Sequence, residues 1–209
     1  MSLHDFDTEA DLIPLLTPED EEEMANEELP NSLAILPLRN TVLFPGVVIP
    51  ITAGRDKSIK LINDANAAGK VIGVVAQKDE DIEDPTRDDI HQIGTVAQIL
   101  RVLKMPDGNV TVILQGKKRF QISKVISEEP YINALIKEVP EKRPSVTDTE
   151  FGAIIDSVKE IAIKIIKESP NIPTEATFAI KNIESQSFLI NFVSSNMNLD
   201  VKEKQDLLS

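Results

Sequence analysis

Residues 94–115 read GTVAQILRVLKMPDGNVTVILQ, and their pattern is the strongest indication of the fold in this sequence. Two β-rich runs, residues 94–105 and 110–115, flank the tetrapeptide Pro106-Asp107-Gly108-Asn109. Proline presets φ at about −65° and glycine allows positive φ, so the tetrapeptide predicts a turn. The stretch therefore predicts a β-hairpin.

Further short strands surround this hairpin. Gly69 follows a helical pattern over residues 55–68 and predicts its C-terminal end, whereas Gly116 is predicted to interrupt the return strand of the hairpin. Several short strands with a single helix predict a small barrel rather than alternating β–α–β units. The other predicted strands cover residues 33–38, 47–52, 71–76, 119–126 and 131–139.

After residues 140–144 the periodicity becomes helical. Thr147-x-x-Glu150 has the form of a capping box, and an apolar stripe follows it. Further helices are predicted over residues 174–180, 185–195 and 200–208, so the fold class is α+β. The chain ends just after Leu207-Leu208, inside an apolar helical pattern, so we expect a piece of a longer protein. The stripe consists of Phe151, Ile154, Ile155, Val158, Ile161, Ala162, Ile165 and Ile166.

Charge divides the chain into three predicted parts. The 209 residues carry a formal charge of −13, of which residues 1–30 hold 11 acids and no lysine or arginine. This segment is predicted to be a disordered acidic tail, because dense like charges resist compaction. Residues 31–140 are the predicted β-barrel subdomain and residues 141–209 the helical one. Near-neutral charge outside the tail argues against a broad polyanion-binding surface.

Composition excludes several classes of site. The chain has no cysteine, which excludes disulfides, zinc–thiolate sites, iron–sulfur clusters and thiol nucleophiles. Neither a basic leader nor a run long enough to span a bilayer is present, so we expect a soluble cytoplasmic protein without membrane contact.

Catalytic motifs are absent from the sequence. Neither G-x-x-x-x-G-K-[ST], G-x-G-x-x-G nor G-x-S-x-G occurs. His91 with Asp88 and Asp89 could form a metal site, although a solvated loop histidine explains the same residues, because no second nitrogen ligand is evident. We therefore predict no catalytic residue, metal ligand or cofactor in this chain.

The run Lys117-Lys118-Arg119 has two interpretations. A basic turn grips phosphates, and small barrels often bind RNA, but Phe120 and Tyr131 are the only aromatic residues nearby. A solvated turn between strands is the alternative.

Alternation in residues 110–115 predicts a core face formed by Val110, Val112 and Leu114. Ile113 then lies on the polar face with Thr111 and Gln115. An apolar residue on a polar face needs an explanation.

We predict that Ile113 belongs to an exposed apolar patch with Leu38, Phe44 and Pro50. Such a patch typically binds apolar polypeptide. The competing interpretation is that both strand faces are partly covered, as in a small barrel that packs against a helix.

Several motifs together resemble the N-terminal domain of bacterial Lon-type ATP-dependent proteases (endopeptidase La). The resemblance covers about residues 33–209 and excludes the acidic tail. The motifs are Leu36-Pro37-Leu38-Arg39-Asn40, Phe44-Pro45-Gly46, Ile49-Pro50, Gly54-Arg55 with Ser58-Ile59, Val74-Val75-Ala76-Gln77-Lys78, Gly94-Thr95-Val96-Ala97, Leu103-Lys104-Met105-Pro106-Asp107-Gly108, Gly116, Arg119 and Lys204-Gln205-x-Leu207-Leu208.

This resemblance implies a PUA-like pseudo-barrel followed by a helical bundle. It also implies a non-catalytic region that recognises unfolded, damaged or degron-bearing proteins and supports hexamer assembly and entrance gating. The ATPase, with ATP and magnesium, and the Ser–Lys peptidase would lie in other parts of the parent protein. The alternatives are a stand-alone PUA-like RNA-binding module and a small-molecule pocket protein, the latter disfavoured because the chain has no tryptophan.

Overall fold

The structure, a computed structural model, describes residues 16–141, 149–169 and 175–209. All six strands and two α-helices lie in the first of these ranges, and the other two ranges are helical. The strands are β1 (Ser32–Leu38), β2 (Val48–Ala53), β3 (Val71–Ala76), β4 (Ile93–Lys104), β5 (Val110–Ser127) and β6 (Asn133–Glu138); the helices are α1 (Pro18–Asn26), α2 (Asp56–Ala68), α3 (Thr149–Glu168), α4 (Glu175–Asn182), α5 (Gln186–Asn196) and α6 (Val201–Leu208).

The six strands form one sheet in the order β2-β5-β4-β3-β1-β6, and β5 also pairs with β6. The pairings from β5 through β4, β3, β1 and β6 therefore return to β5, while β2 is an edge strand. The β1–β3 pairing is parallel, and the other pairings between these strands are antiparallel.

The hairpin at residues 94–115 forms as predicted, but its return strand does not stop at Gly116. Strand β5 continues through Gly116 to Ser127. A Cβ atom on Gly116 would lie 2.2 Å from the carbonyl oxygen of Phe44, so only glycine lets the backbone at Phe44 cross the strand this closely. The predicted interruption was wrong because the glycine serves a close approach rather than a break.

The predicted core face of β5 is confirmed. Val110, Val112 and Leu114 are buried, and the same core reaches α3, α4, α5 and α6. The helices therefore share one apolar core with the strands. The core members that follow residue 149 are Ile155, Ile166, Ile180, Ile183, Phe188, Leu189 and Leu208, of which Ile183 lies just after α4.

The acidic segment was predicted to be disordered, but its residues 18–26 form helix α1. Thr17 caps this helix by accepting a hydrogen bond from the backbone N–H of Asp20, 3.1 Å away, while the Asp20 carboxylate accepts from the N–H of Thr17. Acidic side chains in the first turn also stabilise the helix, because they interact favourably with the positive end of the helix dipole. Residues 1–15 of the predicted tail lie outside the described residues.

Contacts hold α1 against the rest of the molecule. The buried side chain of Leu16 lies against Gly46 and Phe188, and the Glu21 carboxylate accepts a hydrogen bond from the hydroxyl of Ser185. Gly46 has a φ of +78° and leaves no room for a Cβ beside Leu16. Helix α1 therefore contacts both the strands and α5.

The predicted helices after residue 141 are present, although the predicted capping residue Thr147 lies outside the described residues. Only part of the apolar stripe of α3 is buried. Its residues Ile154, Ile161 and Ile165 are more than half exposed. Phe178 of α4 is exposed as well. Among the described helices, none combines the length and the hydropathy needed to cross a bilayer.

Candidate functional site

The four residues predicted to form an apolar patch do not share one surface. Leu38 and Phe44 are buried, with relative exposures of 3% and 1%. Pro50 is exposed and lies directly opposite the half-buried Ile113 in the β2–β5 pairing. The structure therefore brings together two of the four as neighbours on the surface and assigns the other two side chains to the core.

Pro50 and Ile113 lie on the outer face of the sheet, which we define by the positions whose side chains alternate with the core residues of β2 and β5. Val48 lies two residues before Pro50 on the same face. Across β4, Arg101 lies opposite Ile113, and Leu103 lies opposite Thr111. Threonine and arginine side chains lie beside these apolar residues, namely Thr52, Thr111 and Arg101. We call the apolar residues of this face, which are Val48, Pro50, Leu103 and Ile113, the apolar strip.

Leu38 and Pro50 both line a groove of about 940 Å³ beside β2. One wall is formed by the end of β1 and the residues after it, including Pro37 and Leu38. The other wall is β2 from Ile49 onwards, with Arg55 and Glu83 also in the lining. The groove thus adjoins the outer face along β2.

Charged side chains surround one part of this groove. Arg39 forms an ion pair with Glu83 at 2.5 Å, and the Arg55 guanidinium donates a hydrogen bond to the buried side chain of Gln77. Burial lowers the pKa of Arg55, and the nearby charge of Arg39 lowers it further. Both guanidinium groups remain cations, because arginine does not lose its proton in proteins.

Gln77 connects this arrangement to the acidic loop that follows β3. Its side-chain amide donates hydrogen bonds to the carbonyl oxygens of Asp79 and Ile82, 3.1 and 3.0 Å away. The loop that carries Glu83 is therefore anchored through a buried amide.

The basic run is neither a turn nor a solvated segment, because Lys117, Lys118 and Arg119 lie within β5 and are partly buried. Lys118 donates to the carbonyl oxygen of Glu27 at 2.7 Å and pairs with Glu138 at 3.2 Å. The interpretation of this run as a solvated turn was therefore wrong. Intramolecular partners of all three side chains also count against a phosphate-binding role.

Lys117 lies 3.8 Å from the Glu27 carboxylate, and Arg119 donates to the carbonyl oxygen of Leu208 at 3.0 Å. These partners lie 90 and 89 positions away in the sequence. Local sequence patterns around the basic run therefore could not predict these two partners.

The histidine considered as a metal ligand has no metal-binding neighbourhood within the described ranges, where no group of three or more potential ligands occurs. Burial lowers the pKa of His91, and the charge of Lys78 lowers it further, whereas Asp206 opposes this change. His91 is therefore a partly buried imidazole biased toward its neutral form.

Sequence reasoning missed Val48, Leu103 and Gln77 as parts of this region. The signal for Leu103 was available, because a hairpin closed at residues 106–109 pairs Leu103 with Thr111. Gln77 carried no local signal, since its role depends on Arg55 and on the acidic loop.

Comparison with known proteins identifies relatives over nearly the whole chain. A family model described as "ATP-dependent protease La (LON) substrate-binding domain" matches residues 32–209. The chain is 81% identical over its full length to Lon protease of Flavobacterium johnsoniae and covers 26% of that protein. It is 51% identical over 204 residues to Lon protease of Cytophaga hutchinsonii and covers 25% of it. The chain thus spans about a quarter of the length of these relatives.

Two solved structures share the fold. The N-terminal domain of a Mycobacterium avium complex Lon protease has a TM-score of 0.68 at 21% identity, covering 85% of this chain and 90% of that one. A Lon N-terminal domain protein from Xanthomonas campestris has a TM-score of 0.60 at 16% identity, covering 85% and 89%. These similarities confirm the α+β fold class.

Proposed function

The chain belongs to the family of Lon substrate-binding domains, and from this premise we propose that it selects unfolded, damaged or degron-bearing proteins for an ATP-dependent serine protease in the cytoplasm. The chain itself is the non-catalytic part. The ATPase, which would use ATP and magnesium, and the peptidase with its Ser–Lys dyad would be supplied by the rest of the parent protein.

The observation that carries this proposal is the pairing of Pro50 with Ile113 on the outer face. An unfolded protein differs from its folded form by exposed apolar side chains, which an apolar strip of this kind contacts. Val48 and Leu103 extend the strip along β2 and β4. Arg101 borders it and supplies a polar rim.

Weak binding at one such surface is expected and useful. Burial of apolar area contributes roughly 25 cal/mol per Å², from which the costs of association are subtracted. In a hexamer, several equivalent surfaces act on one unfolded chain and raise its effective concentration. A motor then has only weak contacts to break when it pulls the substrate away.

Support for hexamer assembly and entrance gating would come from the helices. Ile154, Ile161 and Ile165 of α3 and Phe178 of α4 expose apolar side chains that the described residues do not cover. We propose that this exposed helix surface contacts another part of the parent assembly. Replacing Ile161 by Asp in the full-length protein should then lower the fraction of hexamer in analytical ultracentrifugation, whereas an unchanged hexamer fraction would exclude this surface.

Substrate selection is tested by fluorescence anisotropy with labelled, reduced and carboxymethylated lactalbumin, which remains unfolded. Native lactalbumin and an RNA oligomer serve as competitors. Binding that only unfolded polypeptide displaces supports the proposal. Displacement by RNA supports the alternative of a PUA-like RNA-binding module, and the absence of binding at the highest soluble concentration contradicts substrate selection.

Ile113→Asp is the variant of choice, and it should weaken binding about tenfold, because burying an isoleucine contributes about 1.5–3 kcal/mol. Ile126→Asp is the matched control, since Ile126 is an exposed isoleucine on the same strand but outside the outer face described above. Leu38→Asp is unsuitable, because a charge at a buried position unfolds the protein rather than testing a surface.

A further inference from the structure

Within the described ranges, strand β2 pairs with β5 on one side only, and the structure shows which of its backbone groups point at β5. The N–H of Gly116 donates to the carbonyl oxygen of Val47 at 2.9 Å. Because backbone groups alternate in direction along a strand, Ile49 and Ile51 also point their N–H and C=O groups at β5. Val48, Pro50 and Thr52 therefore point theirs away from β5.

The groove of about 940 Å³ lies beside this edge. Within the described part of the chain, β2 is the terminal strand of the sheet, so no other strand pairs with its free side. The free edge offers N–H groups at Val48 and Thr52 and C=O groups at Val48, Pro50 and Thr52. Proline contributes no N–H at the central position.

The opposite wall of the groove has a related property. On the side of β1 that faces β3, the carbonyl oxygen of Leu38 accepts a hydrogen bond from the N–H of Gln77 at 2.7 Å. On the opposite side of β1, the N–H of Ile35 donates to the carbonyl oxygen of Ile132 at 2.8 Å. Alternation therefore turns the carbonyl group of Pro37 away from β3. Both Pro37 and Pro50 line the groove, so each wall carries a proline where an ordinary residue would present an N–H group.

We propose that an extended segment of an unfolded substrate adds to the free edge of β2 in this groove through backbone hydrogen bonds. This inference rests on the proposed function and adds the mode of recognition. The edge presents carbonyl acceptors at two-residue intervals, about 6.6–6.8 Å apart, which is the repeat of an extended polypeptide, and N–H donors at Val48 and Thr52. A folded protein has most of its backbone groups already paired and does not fit this edge.

Pro50 also explains why the occupant is an unfolded substrate and not a second copy of β2. Two such strands that pair through their free edges both lack the central N–H group, and proline at an edge is a known protection against this association. A guest strand without proline has its own N–H groups, which match the acceptor-rich edge.

Strand addition also connects the groove to the outer face. Side chains of a guest strand alternate between the two faces of a sheet, so every second one lies beside Val48, Pro50 or Thr52. The outer face would then contact apolar side chains of the substrate while the edge binds its backbone. Both signals of an unfolded protein are recognised at one strand.

Strand addition is tested by amide hydrogen exchange of the 209-residue chain, measured by NMR with and without a peptide taken from reduced and carboxymethylated lactalbumin. The N–H groups of Val48 and Thr52 should exchange about tenfold more slowly when peptide is bound. Those of Ile49 and Ile51, already directed at β5, are the internal control and should change little. Bound peptide with unprotected Val48 and Thr52 would overturn the inference.

Pro50→Val provides an independent variant. Valine suits a strand and restores the missing N–H group, so peptide should bind about three- to tenfold more tightly if backbone pairing operates. Unchanged or weaker binding by a folded variant contradicts strand addition. If the variant does not fold, the exchange measurement on the unaltered chain decides alone.

The two proposals fail in different ways. Failure of the unaltered chain to bind carboxymethylated lactalbumin at all contradicts the proposed function. Binding that Ile113→Asp weakens, but that leaves Val48 and Thr52 unprotected, contradicts only strand addition.

Discussion

Arg119 of β5 donates a hydrogen bond to the carbonyl oxygen of Leu208, 3.0 Å away, in the last turn of α6. Carbonyl groups at the end of a helix have no partner within the helix and carry partial negative charge, so a guanidinium satisfies them well. Gln205 of the same helix donates to the carbonyl oxygen of Ile93 at 3.0 Å. These two bonds fix α6 on strands β4 and β5.

Replacing Arg119 by Met keeps most of the side-chain length and removes the donor. The free energy of unfolding should fall by about 1–3 kcal/mol, because the bond involves a charged group. Urea denaturation measures the change. Lys124→Met is the control, since Lys124 is exposed on the same strand and its replacement should change stability by about 0.5 kcal/mol or less. Equal effects of the two variants would mean that the contact with Leu208 contributes nothing.

Gly116→Ala tests the close approach between β5 and the backbone of Phe44. The new Cβ atom would lie 2.2 Å from the Phe44 carbonyl oxygen, so the backbone must shift, and we expect a loss of about 1–3 kcal/mol in thermal or urea unfolding. Gly152→Ala in α3 is the matched control. No described heavy atom outside the local backbone of α3 lies within 4 Å of the position that the new methyl group would occupy, so alanine there should stabilise the helix by about 0.5–1 kcal/mol.

Leu16→Ala tests whether α1 is held by apolar packing. The buried leucine side chain fills the space beside Gly46 and Phe188, and its truncation should cost about 2–3 kcal/mol. Amide exchange in α1 should accelerate more than exchange in β5 if the helix detaches locally. Leu207→Ala is a control at an exposed leucine, and a similar loss there would argue against a specific role for Leu16.

The lowered pKa of His91 predicts that the stability of the protein depends on pH. Burial is the main cause of its lowered pKa, and Lys78 contributes in the same direction. The unfolded chain therefore binds a proton on this imidazole at higher pH than the folded chain does. The contribution of His91 to the free energy of unfolding is fully present above about pH 6.5 and is lost as the pH decreases through the lowered pKa of the folded state.

His91→Gln should make stability less dependent on pH between about pH 7 and pH 5.5, as measured by urea unfolding at several pH values. His4→Gln is the control for the other histidine. Asp20 and Asp89 do not interfere, because hydrogen bonds from Thr17 and Thr86 lower their pKa values and their contribution is lost only below about pH 4. A steep dependence that persists in His91→Gln would assign it to other groups.

Much of the fold could be predicted because it depends on local patterns. Alternating side chains identified the core face of β5, and proline followed by glycine identified the turn at residues 106–109. The helical period identified α3, but not that Ile154, Ile161 and Ile165 would remain exposed. Periodicity shows that a face is apolar, and the neighbouring elements decide how much of it is covered.

The candidate site was only partly predictable. Alternation correctly distinguished Ile113 from the core residues of its strand, and register then brought Pro50 beside it. Leu38 and Phe44 were misjudged as surface residues because strand ends and turns are usually exposed, whereas here other elements cover both side chains. The fate of an apolar side chain at such a position depends on what crosses above it.

Most of the secondary structure, the α+β class and the family resemblance could be read from the sequence alone, because they follow from residue types and from spacings of a few positions. Three features depend on tertiary contacts: β5 continues past Gly116, the acidic run 18–26 forms α1 near Phe188, and Arg119 binds the carbonyl oxygen of Leu208. Each of these depends on groups far apart in sequence. The contacts between these groups stabilise the protein only after the fold brings the groups together, so no local sequence pattern predicts them.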